Sequence, residues 1–308
     1  MAGAQGGRTT SGDQGRLLEL GVNTVFNQQN KMYDAEYRHI LDVLSSKKAY
    51  ETNTPFGDFG VAKVKAKGAS IEYDDMLAGN SQTYQHVNYA LGAIIEYEAI
   101  EDNLYMNLGT KAGIGLAKAI NQTKEITAAN VFNNGYASTT TWDGELLFSQ
   151  SHKLLKGGTF SNALPVAAPL SETSMEDALI NISRLVDDGD RIIKVLAKSL
   201  HIAPENEFNA ARIMKSTLQN DTDNNAINAM KSLGKFPGGV HINHFFTNGD
   251  NWFIRTDVAE GGKLYLRNPQ PRTGMDNDFG TDDYRHKISQ RWSQGVDDAR
   301  QYYGSGDN

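Results

Sequence analysis

Three groups of residues have the types and spacing from which catalysis or ion binding could be built. Ser149, Ser151 and His152 could supply a hydroxyl nucleophile and its base. No strained Gly-x-Ser-x-Gly elbow surrounds them, and a catalytic triad is defined by geometry rather than by closeness in sequence. His241 and His244, with His201 elsewhere, could hold a metal. The pattern around the pair is that of a strand, however, where residues three apart face opposite sides. Asp221-x-Asp223-x-Asn225 opens like a calcium loop, but Ala226 stands where the turn glycine belongs and Ser232 where the bidentate glutamate belongs. Gly113-Ile114-Gly115 lies inside a helical pattern and lacks the third glycine of a dinucleotide loop. There is no P-loop, and the Asn-x-Ser/Thr matches at Asn121 and Asn181 carry no meaning in a cytosolic chain. The residues therefore specify no catalytic group, no cofactor-binding residue, no metal ligand and no cofactor. The chain reads as one that is not an enzyme.

Composition narrows the class. The chain has 308 residues, enough for about two domains, and a net charge of −7, which opposes the positive footprint of a nucleic-acid reader. Cysteine is absent, so disulfides and thiolate metal sites are excluded and a reducing cytosol suits the chain. No apolar run reaches the length of a membrane span. Met1 to Gln14 has neither the basic start nor the apolar core of a secretory signal. Met1 to about Leu20 is rich in small and polar residues, and such a tail orders only where something ties it down.

The elements that would position these residues begin with one long helix from about Glu101 to Phe132. Leu104, Tyr105, Leu108, Ala112, Gly115, Leu116, Ala119, Ile120, Thr123 and Ile126 share one side of a 100° wheel. Asn107, Lys111, Lys118, Asn121, Gln122 and Glu125 share the other, and Ile114 is the misfit. At 1.5 Å per residue it would span roughly 48 Å, more than a small domain is wide. Gly109, Gly113 and Gly115 lie in its first half and are candidate sites of a bend. Before it, spacing predicts a short helix over Asp34 to Leu44. A hairpin follows, its first strand from Ala62 to Lys67 with a row of lysines, its second from Val87 to Glu98 with strict alternation. After Asn133-Asn134-Gly135 stops the long helix, Ser171 caps a helix over about Glu172 to Val186. A strand over Ile192 to Ile202 and a helix opened by Pro204 come next. Strands are then predicted at Val240 to Phe246, Trp252 to Thr256, Lys263 to Asn268 and Tyr284 to Trp292.

Several of these segments, in order, carry a resemblance. Trp142-Asp143-Gly144-x-x-Leu147-Phe148-Ser149-x-x-His152, followed by Gly157-Gly158-Thr159-x-Ser161-Asn162, resembles the signature segment of tailed-phage major capsid proteins of the Mu-like head-subunit type. Ala128-Ala129-Asn130-Val131-Phe132-Asn133-Asn134, Phe208-x-x-x-Arg212-Ile213-x-x-Ser216 and Asp223-Asn224-x-Ala226-Ile227-Asn228-Ala229 continue the match. Trp252-Phe253-Ile254-x-Thr256-Asp257, Phe279-x-Thr281-Asp282-x-Tyr284-Arg285-x-Lys287 and Tyr302-Tyr303-Gly304-Ser305 complete it. The likeness covers about Glu101 to Ser305; His152 is followed by Lys153 where the family has proline.

The resemblance implies the Hong Kong 97-type capsid fold, a mixed α/β (α+β) subunit. It implies an N-terminal arm over 1–49 and an extended hairpin loop over 50–98. A peripheral domain over 99–190 and 261–308 would be built on the spine helix, with an axial domain over 191–260. It implies self-assembly into hexamers and pentamers of an icosahedral shell around double-stranded DNA, bound without sequence specificity and with no membrane. A separate scaffolding protein, a portal and cementing proteins are the expected further partners, and the virion, assembled in the host cytoplasm, is the expected location. An encapsulin-like shell around a cargo protein is the alternative. Covalent cross-links through Lys63, Lys65 or Lys67 are not expected, since no partner asparagine or catalytic acid is specified.

Overall fold

The computed structural model describes residues 34–96, 98, 108–217 and 227–306. The chain first makes a single helical turn, α1 (Tyr37–Ile40), which buries Tyr37 and Ile40. The helix expected over Asp34 to Leu44 stops there, because the next residues form β1 (Asp42–Ser45). Its last carbonyls are claimed by other elements: Arg255 donates to His39 O at 3.0 Å and the Tyr302 hydroxyl donates to Ile40 O. A backbone whose acceptors are taken this way, and whose next residues find a strand partner, has little reason to continue the helical ladder.

The hairpin differs from its expected form. Its paired base is β2 (Tyr50–Asn53) against β3 (Gln82–Gln85), antiparallel. Ala62 to Lys67 is not a strand but exposed irregular chain. Beyond an isolated bridge from Phe56 to Ala78, side chains hold the excursion: Lys63 pairs with Glu72, Asp74 accepts from Gly60 N, and Lys156 reaches Asp74 at 3.3 Å. An alternating lysine row makes a strand only where an edge is offered to it. The second strand was legible: β4 (Val87–Ile95) exists, but it pairs antiparallel with β12 (Tyr284–Val296) rather than with the lysine segment.

β12 is the centre of a five-stranded sheet. It pairs with β4, with β10 (Gly262–Leu266) and with β11 (Arg272–Asn277), while β1 adds to β10 in parallel. Across one face lies α2 (Leu108–Asn133), the expected long helix; residues 101–107 fall outside the described residues. Gly109, Gly113 and Gly115 sit within one continuous helix. The Trp292 indole donates to Thr127 Oγ1 at 3.0 Å and its ring stacks on Tyr89, joining helix and sheet.

The buried stripe of α2 is rotated from the expected one. Leu116 and Ile120 are buried as predicted, yet Asn121, Lys124 and Glu125 are buried too, while Gly115 and Ile126 are exposed. The reason is α1. The Glu125 carboxylate accepts from Glu36 N and Tyr37 N, both at 2.9 Å, and so satisfies the free amides at the start of that turn. Burial, with Arg38 nearby, pushes the Lys124 amine down to about 8, opposed by Glu125. At Gly115 an added Cβ would meet nothing within 4 Å. Gly115→Ala is therefore expected to stabilise the chain by about 1 kcal/mol, read as a raised melting temperature.

A second sheet of four strands runs β13 (Tyr302–Ser305), β9 (Trp252–Thr256), β7 (Ala197–Ile202), β8 (Val240–Ile242). Observed strands are shorter than predicted at β7 and β8, and β13 joins this sheet, not the one beside α2. Tyr302 still reaches the long helix, edge-on to Phe132 at 4.9 Å. On the sheet's other face, Trp252, Ile254, Leu200 and Tyr303 share a core with α3 (Glu172–Ile182). Ser171 caps α3, its hydroxyl accepting from Ser174 N while Ser174 bonds back to Ser171 N. Two further helices, α4 (Glu207–Lys215) and α5 (Ala229–Ser232), complete this side.

Candidate functional site

The signature segment Thr141 to Asn162 folds around one carboxylate. Asp143 Oδ2 lies 2.9 Å from His152 Nδ1 and accepts from Lys153 N at 3.0 Å; Oδ1 accepts from the Thr141 hydroxyl and from Glu145 N. Asp143 and His152 are both buried. Burial raises the Asp143 pKa, but the hydrogen bonds from His152 and Thr141 outweigh it and hold the carboxyl far below its ordinary value. Nε2 of His152 faces Leu147 O at 3.3 Å, so both ring nitrogens are engaged. Asn162 closes the segment: its amide donates to Leu147 O at 2.7 Å and Ala299 O at 3.1 Å and its carbonyl accepts from Ser149 N. Arg300 stands over the Phe160 ring at 4.4 Å and bonds Asp188, fastening the segment to the chain near its end.

This geometry is a staple, not a reaction centre. Ser149 and Ser151 bond each other and neither meets His152, whose ring serves Asp143 and Leu147. His241 and His244 part because β8 ends at Ile242 and His244 lies in the turn that follows: His241 stacks on His39 and His201, while His244 bonds Glu36. Asp221, Asp223 and Asn225 lie outside the described residues, and Ser232 ends α5. Asn121 is buried and Asn181 donates to the Tyr303 hydroxyl. Among the described residues no group of three or more His, Asp or Glu side chains is arranged to hold a metal, and no helix is long and apolar enough to cross a membrane.

The surface that could act on a partner is the hairpin excursion. Phe56, Phe59, Val61, Val64, Ile71, Tyr73, Met76 and Leu77 are all exposed, with Val64 at 102% and Tyr73 at 95%. Monomeric proteins seldom leave so many large apolar side chains of one segment bare. The excursion is nonetheless firmly rooted. Asp297 accepts from Asn53 and Tyr84 and pairs with Lys263 at 2.8 Å, tying the hairpin base to the five-stranded sheet. At Gly79 a Cβ would lie 2.8 Å from Pro55 and 3.0 Å from Trp142, so only glycine allows the chain to pass this close to the signature segment. The scattered aromatic and aliphatic residues, with no period to bury them, are the signal of a segment left bare by its own chain.

Known proteins agree with this architecture. No curated protein matches the sequence. Among solved structures, the capsid of a native GTA particle aligns at TM-score 0.55 and 13% identity, covering 89% of this chain and 91% of that one. The procapsid of bacteriophage JBD30 aligns at 0.53 and 13%, covering 95% of this chain and 75% of that one. A virus-like particle from Pyrococcus furiosus aligns at 0.52 and 10%, covering 93% and 98%. At these identities the likeness establishes the fold, the Hong Kong 97-type fold of phage capsid subunits. The family of phage capsid proteins matches residues 79–303, most of the chain and every element from β3 to the start of β13. With that match and that fold, this chain belongs to the phage capsid protein family and is a structural protein.

Proposed function

We propose that the chain is the major head subunit of a tailed phage, a non-enzymatic protein that assembles through hexamers and pentamers into an icosahedral shell around double-stranded DNA. The observation that carries this reading is the rooted hairpin excursion with eight large apolar side chains bare on the single subunit. A segment held this way at its base and uncovered along its length suits burial against a neighbouring copy, and large obligate interfaces bury several thousand Å². In this reading 1–49 is the arm, 50–98 the extended loop, 99–190 with 261–308 the peripheral domain and 191–260 the axial domain. In this reading the motif from Trp142 to Asn162 makes the subunit similar to Mu-like head subunits. A separate scaffolding protein, a portal and cementing proteins would complete the particle, built in the host cytoplasm and ending in the virion. The net charge of −7 suits a container that holds DNA without gripping its phosphates.

The likeness to the Pyrococcus furiosus virus-like particle, spanning 98% of that chain, favours a second reading: a shell around a protein cargo. Particles purified from the native source separate the two. The expected result is nuclease-resistant double-stranded DNA inside five-fold and six-fold clustered shells in electron micrographs. A stoichiometric enclosed protein in place of DNA would establish the second reading, and a monomer that forms no particles would overturn both.

A further inference from the structure

Where the segment 34–42 crosses the four-stranded sheet, three imidazoles stack. His39 from α1 lies 4.1 Å from His241 on β8, with the rings 15° from parallel, and His241 lies 5.2 Å from His201 on β7. His201 and His241 are register partners in the parallel β7–β8 pair, so they share a face by construction. Arg255 is in the next strand on the same face, opposite Ser199. Four basic groups thus form one row across the sheet, beneath the chain that leads out of residues 1–33.

The surroundings suit neutral rings. His201 is buried; its Nε2 meets Ser199 Oγ at 2.9 Å, while its Nδ1 is buried without a hydrogen-bond partner. Among the described residues no carboxylate bonds His39, His201 or His241. Asp42, at the start of β1, is taken by Arg255 at 2.8 Å. Glu36 is taken by His244, which binds it through Nδ1 at 2.6 Å and through its backbone N–H. Glu125 holds the amides of Glu36 and Tyr37, with Lys124 and Arg38 near it. Tyr302, from β13, gives its hydroxyl to Ile40 O. A proton added to His201 or His241 would create a cation with another basic ring or guanidinium against it and no carboxylate bonded to it.

We propose that this row is an acid-operated clasp: protonation of His201 and His241, on which the His39 ring is stacked, releases the segment 34–42 from the four-stranded sheet. The inference stands apart from the shell reading and would hold for the free subunit. The titration behaviour agrees in sign. Burial first, then His241, Arg255 and His39, depress the basicity of His201; burial, then His39, depress that of His241 against an opposing contribution from Gly238. A base weakened on folding stabilises the fold fully above its unfolded value, about 6.5, and loses that stability as the pH falls below it. Each such histidine can weaken the clasp by up to about tenfold per pH unit in that window. Carboxylates, with ordinary values near 4, titrate mainly below it. His86, another weakened histidine, bonds Ser46 and Ser293 and is not stacked on this row, so peptides ending at Ile40 read the clasp without it.

Hydrogen exchange on the full chain, read by mass spectrometry at pH 7.5 and 5.5 and corrected for intrinsic rates, tests this. The expected result is at least a tenfold loss of protection in peptides spanning 34–45 at the lower pH, with peptides of α2 unchanged. The double variant His201→Gln with His241→Gln should keep its protection at both pH values. Equal protection of 34–45 at both pH values in the unsubstituted chain would overturn the clasp without any variant. So would the same acid loss in the double variant or, if that fails to fold, a loss in His241→Gln alone as large as in the unsubstituted chain.

Discussion

Asp143→Ala is expected to destabilise the subunit by roughly 3 kcal/mol, because it removes the shared acceptor of a buried hydrogen-bonded cluster and leaves its donors unanswered. His152, the Thr141 hydroxyl and the amides of Glu145 and Lys153 all lose their acceptor at once. A folded domain has only about 5–15 kcal/mol in hand, so a fall in melting temperature on the order of 10 °C should accompany it. Asp143→Asn keeps the shape and one acceptor oxygen and should fall between the two. The neighbouring surface pair of Lys153 with Glu145, whose side chains are 61% and 31% exposed, is the control. Lys153→Ala should change stability by less than about 1 kcal/mol. The same staple sets an acid limit. Because the Asp143 carboxyl is held far below its unfolded value near 3.9, its stabilisation is complete above that value and is lost as the pH falls toward the folded one. Urea titrations at pH 7 and pH 3 should show that loss in the unsubstituted chain and a smaller one in Asp143→Ala. A variant as stable as the parent would mean that the signature segment is held by packing alone.

That staple shows how far the sequence could be read. The motif Trp142-Asp143-Gly144 to His152 pointed to the family, and the family to the fold, through residues that do no chemistry. Their types mark a segment whose carbonyls and amides need fixed partners. What could not be read is that Asp143 and His152 serve each other, since that depends on the turn bringing residue 152 back to residue 143. Period-based signals fared according to how much of each element buries against its own chain. Val87 to Ile95 alternates and is a strand; Trp252 to Thr256 was bounded as observed. Ala62 to Lys67 also alternates, but alternation says only that two faces differ, not that an edge waits for them.

The long helix gives the sharper lesson. Its wheel was drawn by hydrophobicity, and the true stripe includes Asn121, Lys124 and Glu125 because a second element, α1, puts backbone donors against it. A polar residue on a helix becomes interior when a partner supplies the bonds that water would have made. No period in the helix's own sequence records such a partner; Glu36 and Tyr37 lie nearly ninety positions earlier. The histidine row was hidden for the same reason, its members arriving from three elements far apart in the chain.

Val64→Asp combined with Tyr73→Asp is expected to abolish particles while leaving the subunit's melting curve within about 0.5 kcal/mol of the parent. Both side chains are fully exposed on the isolated chain, and neither takes part in the anchoring contacts at Gly60, Lys63, Glu72, Asp74 or Lys156. A change there has nothing to disturb until a neighbour covers it. If a neighbour does, each substitution forfeits about 1.5–3 kcal/mol of apolar burial and adds the larger cost of desolvating a carboxylate. The two losses recur at every copy of the contact, so a closed shell, which needs all of them together, is far more sensitive than one pair of subunits. Sedimentation of the variant at the subunit position, with the parent running as particles under the same conditions, would be the confirming result. Normal particles from the variant would place the excursion on an outer surface with no partner, and the bare apolar residues between Phe56 and Leu77 would then have to meet something other than a second copy of this chain.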